Sequence, residues 1–211
     1  MEDADLTLGL GSGQLEVRDS RRGTRLAGRF PYNSLAVLSD GGRTGKPRKE
    51  AFASRAFEYR IADPKAEIHL LSGHDYGQVL ARKLDDSLIL RDADEALTFE
   101  ANIAPELTEA PFFQNLIAQL RAGLIGGISP GFRLPPERAV PREQAEETTE
   151  EAYKPERGMF GAMIRWIKQA LLFELSLVTV PAYSETSVEA RSEGQLILPE
   201  PKLLHHAARW R

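Results

Sequence analysis

The sequence predicts an α+β domain built on a small antiparallel β-barrel or sheet, with one long amphipathic helix and short peripheral helices. Three observations point there. Short segments such as ALTFEANI alternate apolar and polar residues with the period of two that a half-buried strand requires. One segment, PFFQNLIAQLRAGLIGG, recurs instead at three and four residues, the period of a helix with one apolar face. The regular alternation of strand and helix that builds a doubly wound sheet is missing.

The totals bound the chemistry. A chain of 211 residues, 42% hydrophobic and 27% charged, has the material for one packed core. Its net charge of −4 gives no general attraction to nucleic acid, so no specific nucleic-acid partner is expected. With no cysteine, disulfides and a thiol nucleophile are both excluded, and a metal site would have to use histidine and carboxylates. No apolar run approaches the ~20 residues that cross a bilayer, and the N-terminal MEDADLTLGLGSG lacks the basic start and apolar centre of a signal peptide. The expectation is a soluble intracellular protein with no membrane partner.

Residues 1–24 are polar and glycine-rich and read as a flexible tail. RLAGRF is the first clear element, followed by a loop that includes the basic, glycine- and proline-bearing LSDGGRTGKPRKE. EIHLLSGHD holds a short strand that ends at Gly73, with His69 facing away from Ile68 and Leu70. SLILRD and ALTFEANI form a hairpin through RDADEA, and Leu97, Phe99, Ala101 and Ile103 share one face. In the helix, Phe113, Leu116, Ile117, Leu120 and Leu124 form the apolar stripe, Pro111 suits the first turn, and Gly126 or Gly127 the stop. PPERAVPREQAEETTEEAYKPERG is rich in proline and glutamate and reads as a disordered acidic insertion over 135–158. AMIRWIKQALLFELSLVTVPA returns to strands, and a short helix and an irregular end follow SETSVEARSEG.

Two features carry candidate chemistry. GISPG places Ser129 in the Gly-x-Ser-x-Gly pattern by which many hydrolases present a nucleophile. An α/β-hydrolase elbow needs a strand before the serine and a helix after it; here a helix precedes, and the proline-rich GFRLPP follows. The pattern alone therefore fits a plain loop serine as well. The second feature is Glu174 in LLFELSLVTVPA, a strand largely apolar on both faces, with Leu171, Phe173, Leu175 and Leu177 on one side and Leu172, Glu174, Ser176, Val178 and Val180 on the other. A carboxylate there needs a partner. That partner is either a cation of the preceding segment, Arg165 or Lys168, or the imidazole of His74. His74 follows Gly73 at a strand end, where it is free to act as a general base or to remain a surface histidine held by Asp75. His69 suits a packing role better, and Asp75, adjacent to His74, is a poor orienter for it.

Taken together, LAGRF, the basic loop, LLSGHDYGQVLARK, SLIL, LTFEANI, the helix, GGISPGF and LFELSLVTVPAYSETSVEAR resemble the prohead (capsid maturation) proteases of tailed phages, serine peptidases related in fold to the herpesvirus assemblins. The likeness covers residues 25–191 and implies that this stretch is the protease domain of assemblin-like fold, flanked by tails 1–24 and 192–211. It implies His74 as general base, Ser129 as nucleophile and Glu174 as third member, where assemblins use a second histidine, a mechanism that needs no metal and no organic cofactor. The implied oxyanion donor is the backbone N–H of Ala182, with Gly131 as the alternative; Pro181 has none to offer. The implied partner is a capsid protein precursor or scaffold, cut inside the immature capsid in the host cytoplasm, with self-cleavage and self-association as further expectations. Two other readings stay open: a non-catalytic capsid assembly protein of the same fold, and a serine esterase.

Overall fold

The computed structural model describes residues 15–20, 23–43 and 45–179. The first half of the chain runs through β1 (Leu15–Ser20), β2 (Gly23–Pro31), β3 (Ala36–Ser39), β4 (Arg48–Phe52), α1 (Glu58–Ala62), β5 (His69–Ser72), β6 (Asp75–Arg82), β7 (Leu88–Asp92) and β8 (Ala96–Ile103). Then come α2 (Pro105–Thr108), α3 (Pro111–Arg121), β9 (Gly127–Arg133), α4 (Arg142–Ala145), β10 (Glu146–Glu150), β11 (Tyr153–Lys154), β12 (Met159–Phe160), β13 (Met163–Ile167) and β14 (Leu171–Val178). The architecture is α+β. The described strands form three four-stranded sheets, ordered β1-β2-β8-β7, β10-β13-β4-β3 and β6-β5-β14-β9, and a separate β11-β12 ladder. None of these sheets closes into a barrel, which corrects the barrel alternative. The sheets are also not purely antiparallel: β13 runs parallel to β4, and β14 parallel to β5.

The period-two reading of β8 holds for all four residues of its apolar face. Leu97, Phe99, Ala101 and Ile103 are all buried in the main core, and Asp92 pairs with Leu97 across the β7–β8 hairpin. Burying a side chain of that size stabilises the fold by about 1.5–3 kcal/mol. An aromatic cluster joins the sheets: Phe52 packs edge-on against Phe30 at 5.5 Å and against Phe132 at 4.8 Å between ring centroids.

Helix α3 buries Phe113, Leu116, Ile117 and Leu120 and starts at Pro111, as its stripe requires. It stops earlier than the sequence suggests. Gly123 takes the left-handed conformation, its N–H bonds Leu120 O, and Leu124 N–H bonds Gln119 O. That pair of bonds is a Schellman stop, which glycine adopts without strain. Leu124 therefore leaves the apolar stripe and is 61% exposed.

Two stretches expected to be irregular contain regular structure where they are described. Within residues 1–24, β1 pairs with β2 from Leu15–Gly28 to Ser20–Gly23. Within 135–158, α4, β10 and β11 form, and β10 adds an edge strand to β13. The acidic residues of β10 are matched by cations, most of them from elsewhere in the chain. Glu146 bonds Arg165 and Arg142, Glu147 bonds Lys168, Glu150 bonds Lys46, and Trp166 Nε1–H donates to Thr149 Oγ1 at 3.1 Å. Glu151, with its side chain almost fully buried, bonds Lys49 Nζ and accepts Phe160 N–H at 3.1 Å. The Lys49 ammonium holds the Glu151 carboxyl below the usual carboxylate range. Among the described residues no helix is long and apolar enough to cross a membrane.

Candidate active site

The site is built on one face of the β6-β5-β14-β9 sheet. On β14, Glu174 and Ser176 are two residues apart and so project to the same side. β14 carries an irregularity between Leu172 and Glu174 in its pairing with β9. An extra residue there, Phe173, reverses the alternation. Leu172 therefore joins Leu175 and Leu177 in the core rather than lying beside Glu174, which corrects the two-face assignment. Phe173 turns outward, where the guanidinium of Arg60 lies 4.2 Å from its ring centroid.

His74 arrives from the neighbouring hairpin. Ser72 pairs with Asp75, leaving Gly73 and His74 as a two-residue connection with φ of 64° and 62°. Positive φ at both positions is the type I′ turn that matches strand twist. Glycine takes it freely; histidine does so at a cost of about 1 kcal/mol. The turn is clamped to β14: Gly73 N–H donates to Leu177 O at 3.0 Å and His74 N–H to Ser176 Oγ at 3.0 Å.

The imidazole then meets the buried acid. His74 Nδ1 lies 2.8 Å from Glu174 Oε1, and Ser176 Oγ donates to Glu174 Oε2 at 2.6 Å. Glu174 is 4% exposed and Ser176 0%, whereas the His74 side chain is 47% exposed. The other candidate partners of Glu174 are engaged elsewhere: Arg165 with Glu50 and Glu146, Lys168 with Glu147. A carboxylate only accepts, so Nδ1 carries the hydrogen of this bond, and Nε2 is left as the acceptor of the neutral ring.

Ser129 lies within β9, an edge strand, rather than in a loop or on an elbow. Pro130 is tolerated there because an edge strand leaves part of its ladder unpaired. Ser129 pairs with Ser176 and Gly131 with Glu174 across the β9–β14 ladder. Paired residues share a face, so Ser129 stands on the side that carries Glu174, Ser176 and the His74 turn. Glu174 Oε1 sits directly over Gly131, where an added Cβ would be only 1.9 Å from it. Ser129 is the next same-face residue, ~7 Å along the strand. One imidazole ring with a hydrogen bond at each end spans a gap of that order. The hydroxyl of Ser129 is brought to this face by strand register; the hydrogen bonds of the cluster run among His74, Glu174 and Ser176.

His69 also pairs with Glu174, in the parallel β5–β14 ladder. Its Nε2 is 3.2 Å from Glu67 Oε1, and its ring packs edge-on against Tyr76 at 5.7 Å. Asp75 accepts from Gly77 N–H and Gln78 Nε2 and makes no bond to His74. Ala182 lies outside the described residues. Sequence reasoning gave no role to Ser176, although its spacing from Glu174 already put both on one face. It also assigned Gly131 only as an amide donor, whereas here its missing side chain makes room for a carboxylate.

A histidine locked to a buried acid, beside a strand that presents a serine, has the makings of a serine hydrolase. Residues 42–197, about three-quarters of the chain, match the family model of the caudovirus prohead serine proteases. The chain belongs to that family of serine peptidases. It matches no curated protein and no solved structure.

Proposed function

We propose that the chain is an endopeptidase that cleaves a capsid protein precursor or scaffold during prohead maturation, with Ser129 as nucleophile, His74 as general base and Glu174 as orienter. The observation that carries this reading is the 2.8 Å contact of His74 Nδ1 with the buried carboxylate of Glu174. It is supported by the register that puts Ser129 on the same face. Of the two serines there, Ser176 is fully buried and its proton is committed to Glu174, while Ser129 is partly exposed. A peptide carbonyl has access only to Ser129.

In this mechanism Ser129 Oγ attacks the scissile carbonyl carbon while His74 Nε2 takes the hydroxyl proton. The imidazolium that forms is stabilised by the Glu174 carboxylate at Nδ1. The tetrahedral oxyanion is held by a backbone N–H, from Ala182 or Gly131. His74 returns the proton to the leaving amine, and the carbon–nitrogen bond breaks to give an acyl-enzyme on Ser129. Water, deprotonated by the same histidine, then releases the new carboxylate. The expected setting is the interior of the immature capsid, where enzyme and shell protein are confined together, with self-cleavage as a further reaction of the same centre.

The experiment is co-expression of the Ser129→Ala variant with a capsid protein precursor that the wild type cleaves, followed by mass spectrometry of the products. The variant folds and leaves the precursor whole. Processing at the wild-type level by this variant would remove Ser129 from the mechanism.

A further inference from the structure

We infer that Ser176 is a positioning residue of this site, one buried hydroxyl that fixes both the acid and the base. The inference rests on the reading of His74 and Glu174 just given. Ser176 Oγ makes two hydrogen bonds whose directions are forced. A backbone N–H can only donate, so Oγ accepts from His74 N–H at 3.0 Å. A carboxylate can only accept, so the hydroxyl proton goes to Glu174 Oε2 at 2.6 Å.

The two bonds do different work. The first anchors the main chain of a histidine held in a left-handed turn, so the imidazole starts from a fixed Cα. The second occupies one carboxylate oxygen and leaves the other, Oε1, for His74 Nδ1. With a bond on each oxygen, rotation of the carboxylate about its last torsion is stopped. Ser176 thus sets the position of both ends of the His74–Glu174 bond without touching substrate. Burial strengthens this control, because no water competes for the hydroxyl.

The test uses the full chain carrying Ser176→Ala or Ser176→Cys. The thiol conserves volume but is a weak donor, so it separates the hydrogen bonds from packing. Two quantities are measured: the second-order rate at which a fluorophosphonate probe labels the protein, and the nitrogen-15 shifts of the His74 ring. In the wild type the neutral ring carries its proton on Nδ1. Both variants are expected to show mixed tautomers and labelling slowed about tenfold or more, the loss that follows removal of a hydrogen bond to a charged group. Wild-type labelling with a wild-type ring signature in either variant overturns the inference. If the alanine variant does not fold, the cysteine variant decides alone. The Ser129→Ala protein is run beside them: if it still labels, the nucleophile assignment has failed, and the ring shifts alone judge Ser176.

Discussion

Gly131 faces Glu174 across the β9–β14 ladder so closely that any Cβ on it would lie within 1.9 Å of the Oε1 atom that binds His74. The φ of Gly131 is not positive, so space rather than backbone freedom explains the glycine. Gly131→Ala is therefore expected to push the carboxylate off the imidazole. Fluorophosphonate labelling should fall at least tenfold, with a loss of about 1–3 kcal/mol in urea unfolding from overpacking. An alanine variant with unchanged labelling would show that the carboxylate has another place to go.

Glu174→Gln retains volume and one acceptor but loses the charge that stabilises an imidazolium. Precursor cleavage should slow by roughly 10²–10⁴-fold while the protein still melts cooperatively, as when a triad acid becomes an amide. Single-turnover cleavage at the wild-type rate would take the acid out of the mechanism.

The two histidines beside Glu174 are expected to separate in function. His74→Ala should abolish cleavage, because its ring alone is bonded to the buried carboxylate and half exposed to a substrate. His69→Ala should keep most activity, because it loses only the Glu67 contact and packing on Tyr76. The reverse ranking in a precursor-cleavage assay would assign the base to His69.

Glu151 makes a pH-dependent contribution to stability. Its carboxyl is held below its ordinary value by the Lys49 ammonium. A depressed folded value means that the stabilisation is complete above the ordinary glutamate range and is lost as pH falls through the folded value. Glu151→Gln is thus expected to lower stability by roughly 1–3 kcal/mol at neutral pH, with the gap to wild type closing in acid. Chemical denaturation at several pH values checks this, and a gap that stays constant into acid contradicts it.

Much of this site was legible because its parts depend on short-range pattern. Gly73 marked a strand end that frees His74, though not the tight turn that forms there, and the acid in an apolar strand demanded a partner whatever the fold. GISPG pointed to a serine but not to its setting. A helix followed by a proline-bearing stretch reads as a loop, and only pairing with β14 makes it an edge strand.

By itself the sequence determined the apolar face of α3 up to Leu120, the β7–β8 hairpin and the short list from which Glu174 must choose a partner, because period and burial cost act locally. Tertiary structure alone decided that choice: Arg165 and Lys168 go to the acidic stretch 146–150, leaving His74 for Glu174. It also ordered that stretch. A run of glutamates has too little apolar surface to fold alone, but it becomes a strand when lysines and arginines distant in the chain neutralise it along a sheet edge. The irregularity at Phe173 and the Gly131–Glu174 contact belong to the same category. Each depends on which residue stands opposite on the next strand, and long-range pairing alone sets that.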